Sequence, residues 1–233
     1  MSTPGPRLGE SVDSSAAKVP QRTTLPGRFV TLVPLDPAAH AAALYQASHG
    51  PEREDLWRYL FDGPYPDRPA FDARLQQMAA SRDPLFFTIL DRTQVPVGYA
   101  AFLRIEPVHR CIEVGSILYT PALQRTPGAT EAMYLMARHI FEDLEYRRYE
   151  WKCNALNEPS RRAALRLGFV FEGIFRQHMI IKGRNRDTAW YSMLDSEWPA
   201  RKANFERWLA AENFDGNRRQ KESLSRMNNA FGA

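Results

Sequence analysis

The chain has 233 residues, 44% of them apolar and 25% charged, and at this length one core buries roughly 70% of the unfolded chain's surface without disulfides or a structural metal. Its two cysteines, Cys111 and Cys153, exclude a disulfide framework, its five scattered histidines give no zinc-spaced cluster, and no apolar run approaches the roughly 20 residues of a membrane helix. The net charge of +4 belongs to the two ends and leaves residues 29–215 at −1, which argues against a nucleic-acid binder.

Residues 1–26 are rich in Ser, Pro, Gly and Thr and lack the apolar stretch of a signal peptide, so they read as a flexible leader. With so few cysteines, a reducing cytoplasm is the expected setting. Residues 28–35 alternate as a strand does, and Asp36-Pro37 then supplies a cap and a first-turn proline for a helix over 37–48. Helical spacing recurs over 52–60 and 69–81, around a loop with three prolines and a glycine. A hairpin of strands over 85–90 and 95–105 follows, then a strand over 111–120. From there the order alternates: helix 128–144, strand 146–152, helix 158–167, a hairpin of strands 169–181 and 187–194, and a helix over 197–211. This order implies one α+β domain over 27–214 with a mixed sheet, and residues 215–233 read as a basic polar tail.

The chemistry concentrates at two strand-to-helix junctions. The first runs from Ser116 through Arg125-Thr126-Pro127-Gly128-Ala129-Thr130 into a long helix. Free N–H groups and the positive end of the dipole make such a helix start a phosphate site, Gly128 permits close approach, and Thr130 adds a hydroxyl. The second is Asn157-Glu158-Pro159-Ser160, a helix, then Gly168-Phe169, in which Asn157 is also a plain helix cap and Gly168 a helix stop.

In this order, one strand apart, the two junctions resemble the GNAT superfamily of acyl-CoA-dependent N-acyltransferases, over about residues 27–196. Arg125, Gly128 and Thr130 match the family's pyrophosphate loop, although Pro127 removes one N–H donor from it. Asn157, Ser160, Gly168 and Phe169 match its downstream motif, and the string NEPSRRAALRLGFVFEGIFRQ looks most like the branch of ribosomal-protein-alanine N-acetyltransferases. The resemblance implies a mostly antiparallel central sheet with helices on both faces. It implies acetyl-CoA as cosubstrate, held by Arg125, Gly128, Ala129, Thr130 and Asn157 and by the backbone of Ile117, Leu118 and Tyr119 on a splayed strand. It implies no metal.

Acyl transfer to an amine needs a group to take the amine's proton and often an acid for the leaving thiolate. Glu113 lies near where many family members place a glutamate base; as a strand residue it also reads as an outward-facing carboxylate. The tyrosine acid of many members is replaced by Ala164, and in the ribosomal-protein branch the serine that maps to Ser160 fills that role. The branch's further glutamate maps to Met179, beside His178, a natural base near neutral pH; strand alternation lets only one of the two face the cleft. Arg161, Arg162 and Arg166 are candidates for the nucleotide phosphate or for a solvated face, and Trp57, Tyr59, Tyr65 and Phe71 for the acceptor cleft or the core. The expected activity is acetyl transfer from acetyl-CoA to a primary amine, first a protein or peptide N-terminal amine and second a small-molecule amine. A catalytically weak CoA-binding regulatory protein is the rival. No membrane partner is implied, and a homodimer is compatible with the reading.

Overall fold

The computed structural model describes residues 9–217 and 219–229. Eight strands form one sheet: β1 (Leu25–Pro26), β2 (Val30–Pro34), β3 (Leu85–Asp91), β4 (Pro96–Glu106), β5 (Cys111–Tyr119), β6 (Arg148–Asn154), β7 (Val170–Ile181) and β8 (Arg184–Leu194). Their order across the sheet is β1-β2-β3-β4-β5-β6-β8-β7, with every pair antiparallel except β5 and β6. The fold is therefore the α+β arrangement expected, with helices on both faces.

Helices α1 (Pro37–Ser48) and α2 (Arg68–Ala80) cover one face, and each starts as its sequence dictates. Asp36 Oδ1 accepts from Ala38 N at 2.9 Å and Asp67 Oδ1 from Ala70 N at 2.8 Å, with proline in each first turn. Beneath them Leu44, Trp57, Phe71 and Leu75 meet Phe86, Tyr99, Ala101, Leu103 and Leu118 of β3, β4 and β5. Residues 51–57 form a 3-10 helix rather than the α-helix expected over 52–60. Trp57 and Phe71 are fully buried and pack with Tyr65, Tyr45 and His49, so three of the four aromatics considered for the cleft are core anchors.

Helices α3 (Pro127–Arg138), α4 (Glu158–Arg166), α5 (Trp198–Leu209) and α6 (Leu224–Asn229) cover the other face. Ala132, Leu135, Met136, Ile140, Trp198 and Phe205 pack there on Leu32, Phe87, Phe102, Ile112 and Val114. The helical run expected over 128–144 is α-helical to Arg138 and then one π-helical segment, His139–Asp143. Glu131 is buried at the start of α3 and accepts from the backbone N–H groups of Arg28, Phe29 and Val30 at 2.9, 2.5 and 2.9 Å, which fixes α3 against the entry to β2.

Both ends differ from the compositional reading. Residues 9–24 hold no regular element, yet Ala17 N donates to Pro107 O, Lys18 N to Leu144 O, and Ala17 is buried. In the tail, α6 buries Leu224 and Met227 against α4 and α5, and Asn204 Nδ2 donates to Met227 O at 3.0 Å. Low average hydropathy hid both because a few well-spaced apolar residues suffice to dock a short segment. The remaining positions of these two ends, residues 1–8, 218 and 230–233, including the basic Arg7 and Arg218, lie outside the described residues.

Candidate active site

The parallel ladder between β5 and β6 runs only from Cys111↔Arg148 to Val114↔Trp151, although β5 continues to Tyr119 and β6 to Asn154. The strands part at Gly115 and Ser116, where Ser116 takes a φ of 48° and the β4–β5 register shifts. Backbone groups of Ile117, Leu118 and Tyr119 on the side toward β6 are thus left without a ladder partner, while on the other side Leu118 and Tyr119 stay paired with Tyr99 and Gly98. This opening is the centre of the site.

On the α3/α4 side lies a cavity of about 940 Å³ lined by Arg125, Thr126, Ala129, Thr130, Arg162 and Arg166 among others. Thr126 caps α3 by accepting from Ala129 N at 3.3 Å. The Thr130 hydroxyl accepts from Arg166 Nη2 at 3.0 Å, which brings a guanidinium to the start of α3. Burial pushes Arg166 below its ordinary pKa, and its guanidinium also stacks on Trp208, 4.8 Å from the ring centroid. Trp208, Phe214 and Arg219 of the C-terminal segment complete the wall, a contribution no local motif announces. Arg161 turns away, its Nε donating to the Tyr191 hydroxyl at 3.2 Å.

Gly128 does not face this cavity. A Cβ there would lie 2.8 Å from Val30 Cγ1 and 3.5 Å from Leu123 Cδ1, so the glycine lets α3 press on β2. It lines a separate apolar cavity of about 660 Å³ on the far side of the loop. The missing side chain thus serves close packing of α3 on β2.

Asn157 caps α4, its Oδ1 accepting from Ser160 N at 3.2 Å. Ser160 Oγ accepts from Trp151 Nε1 at 3.0 Å, which places the hydroxyl at the last residue of β6 that pairs with β5, the apex of the opening. An indole only donates, so the serine keeps its own proton for another acceptor. The Cys153 thiol is one acceptor beside it: burial pushes that thiol up in pKa and Ser160 pulls it back.

Glu113 lies on the opposite, α1/α2 face and is only 3% exposed. Its Oε2 meets Arg104 Nη1 at 2.6 Å and Lys152 Nζ at 3.0 Å. Burial pushes its pKa up, against the pull of Lys152 and Arg104. Both cations sit on Oε2, and among the described residues Oε1 takes no hydrogen bond and is not sealed from solvent. Lys152 also meets Glu150 at 2.6 Å and lies over the Trp190 ring at 3.9 Å.

His178 stands beside Trp190, 6.0 Å between ring centroids, with Nδ1 2.9 Å from Thr188 Oγ1. Burial, with Arg186, Arg104 and Lys152, holds its pKa below the ordinary value. Strand alternation does not decide between His178 and Met179, because β7 bulges between Phe175↔Thr188 and Met179↔Arg186, with Gln177 at φ 49°. Sequence reasoning missed Arg104, Lys152 and Trp190; the only trace was the i, i+2 spacing of Glu150 and Lys152, which puts both on one face of β6. Among the described residues no group of three or more His, Cys, Asp or Glu is placed to hold a metal, and no helix is long and apolar enough to cross a membrane.

Known proteins share this architecture. The crystal structure of a GCN5-related N-acetyltransferase from Brucella melitensis is 46% identical, with a TM-score of 0.91 over 93% of this chain and 99% of that one. The Escherichia coli ribosomal-protein-serine acetyltransferase is 30% identical over 102 residues, and the Bacillus subtilis protein YdaF is 34% identical over 105. Those matches cover 43% and 45% of this chain, and the chain spans little more than half the length of the two proteins, 56% and 57%. The family profile described as acetyltransferase (GNAT) domain matches residues 30–170, and with the splayed β5–β6 pair and the cationic cavity beside it, this places the chain in the GNAT acetyltransferase family.

Proposed function

We propose that this protein is an N-acetyltransferase that moves the acetyl group of acetyl-CoA to a primary amine, foremost the α-amine of a peptide or protein. The observation that carries the reading is the parting of β5 and β6 after Val114↔Trp151, with the arginine-lined cavity on one face of the sheet and Glu113 on the other. The parts fit the cosubstrate. Arg125, Arg162, Arg166 and the start of α3 would hold phosphates, and the unpaired backbone of Ile117, Leu118 and Tyr119 offers partners to the amides of the pantetheine arm. Acetyl-CoA, when bound, supplies an acyl group already activated as a thioester.

The chain's own groups supply the proton traffic. Glu113 Oε1 is positioned to take the amine's proton, directly or through a water, while Arg104 and Lys152 hold the other oxygen fixed. Ser160 donates the proton that Trp151 leaves free toward the departing sulfur. His178, whose pKa its surroundings hold below the ordinary value, is the second base to test. The preference for a peptide amine rests on the E. coli relative, whose name specifies a ribosomal protein as acceptor.

Thiol release with acetyl-CoA, measured over a panel of N-terminal peptides and small amines, tests the reading. Turnover on peptide α-amines is the expected result. Tight CoA binding in calorimetry with no turnover on any amine overturns the enzyme in favour of a CoA-binding regulatory protein, and turnover confined to small amines overturns the choice of acceptor.

A further inference from the structure

Six charged side chains on the α1/α2 face form a closed set. Arg104 and Lys152 hold Glu113, Lys152 and Arg148 hold Glu150, and Arg148 pairs with Glu172 through both terminal nitrogens, at 2.8 and 2.5 Å. Three cations cancel three carboxylates.

Arg186 stands outside this set. It is only 6% exposed, yet among the described residues no carboxylate lies within 4 Å of it. Its Nε donates to Thr188 Oγ1 at 3.2 Å and its guanidinium lies 5.0 Å from the centroid of the Phe61 ring. Both terminal nitrogens lack a hydrogen-bond partner among the described residues, and neither is sealed from solvent. A guanidinium does not shed its charge as a buried lysine does, so a buried one without a counter-ion is costly unless something arrives to pair it.

The position of Arg186 says what arrives. Thr188, two residues on, pairs with Asn154, the last residue of β6, so Arg186 lies just past the end of that strand beside the opening. The loop after the 3-10 helix reaches across at this point: Tyr59 OH donates to Leu156 O at 3.1 Å, and Lys182 Nζ donates to Trp57 O at 2.8 Å. The other titratable groups that act on it are the Cys153 thiol, whose pKa burial raises, Arg104 and His178, and the one carboxylate, Glu113, is already held by Arg104 and Lys152. The large cavity with its several arginines is on the opposite face, so a single guanidinium here matches a planar, singly charged anion.

We infer that Arg186 receives a carboxylate carried by the acceptor, so that the preferred acceptors are amines with an acidic group close to the reacting nitrogen. The inference rests on the N-acetyltransferase reading above. The carboxylate has two sources of the same chemistry, an acidic side chain next to a peptide's N-terminal residue or the α-carboxylate of a free amino acid.

Initial rates on the full chain with acetyl-CoA decide between them and test the site. Two matched pairs are compared: a peptide with Asp against the same peptide with Asn at its second position, and an amino acid against its α-amide. The carboxylate member of one pair should have the higher kcat/KM by about tenfold to a hundredfold, as a charge-assisted bidentate contact gives. In Arg186→Gln that ratio should collapse toward one, and in Arg186→Lys it should be partly kept. Being a ratio, it is unaffected by a general loss of active protein. Equal kcat/KM within both pairs, or a ratio that survives Arg186→Gln, overturns the inference. If no acceptor is turned over, it is the enzyme reading that fails, and calorimetry of the Asp and Asn peptides into the CoA-loaded protein still decides: equal affinities overturn the anion site, a preference for Asp that Arg186→Gln removes supports it.

Discussion

The two sides of the β5–β6 opening are built in opposite ways. The α3/α4 side takes most of its polar groups from the loop and first turn that open α3 and from α4, two helices whose caps and first-turn prolines are written in the sequence. The α1/α2 side takes one to three side chains from each of β4, β5, β6, β7 and β8. A phosphate cradle is a local device, whereas an acid–base centre inside a sheet is a device of register. Glu113 meets Lys152 only because β5 and β6 pair as Glu113↔Glu150, and a slip of one residue would send one partner to the other face.

If the contrast is right, the largest single effect belongs to the register-built side. Lys152→Met leaves Glu113 and Glu150 buried with one cation each, and should cost about 3–5 kcal/mol, as removal of one partner from a buried ionic group does. A loss well below that in denaturant unfolding would mean that solvent already screens the network and that the two sides are less different than they look. Next, Ser160→Ala should lower kcat by about tenfold to a hundredfold with acetyl-CoA affinity nearly kept, since one charge-assisted hydrogen bond made in the transition state is lost. An unchanged turnover number removes Ser160 from the chemistry and leaves it as the partner of Trp151 alone.

Gly128→Ala sharpens the comparison from the local side. Crowding against Val30 should cost about 1–3 kcal/mol of stability, and Val30→Ala in the same chain should return part of it. Full stability with weakened CoA binding would instead give the glycine back to the phosphate loop. The smallest effect is one of shape. Because burial raises the pKa of Glu113 and a base must be ionised to act, kcat/KM should fall as pH drops through a value above that of an ordinary glutamate. That acid limb should vanish in Glu113→Gln and persist in His178→Asn; the reverse pattern moves the base to His178.

Legibility followed the same division. The Asp36 and Asp67 caps, the hairpin over β3 and β4, and the Asn157-to-Phe169 stretch are short-range signals, and each element formed where its residues indicated. Ser160 and Glu113 were named from a resemblance and do sit at the opening, on opposite faces of it. What could not be read depends on residues far apart in the chain. The bulge at Gln177 undoes simple alternation, Gly128 answers to Val30 about a hundred residues away, and Arg186 has meaning only beside Phe61. The docking of α6 was invisible for a different reason, because six residues with two apolar contacts scarcely move a composition average.

The strand order also constrains how the chain is made. β8 lies between β6 and β7, although it follows both in the chain. During synthesis β7 emerges with no strand to join, and β6 keeps an open edge from Arg148 to Asn154 until Leu194 has been added. The last two strands therefore enter as a finished hairpin, led by the later one. Arg186 and Trp190 reach the opening in that same event, so the α1/α2 side of the opening is incomplete in every nascent chain that stops short of β8, whereas the start of α3 is already in place.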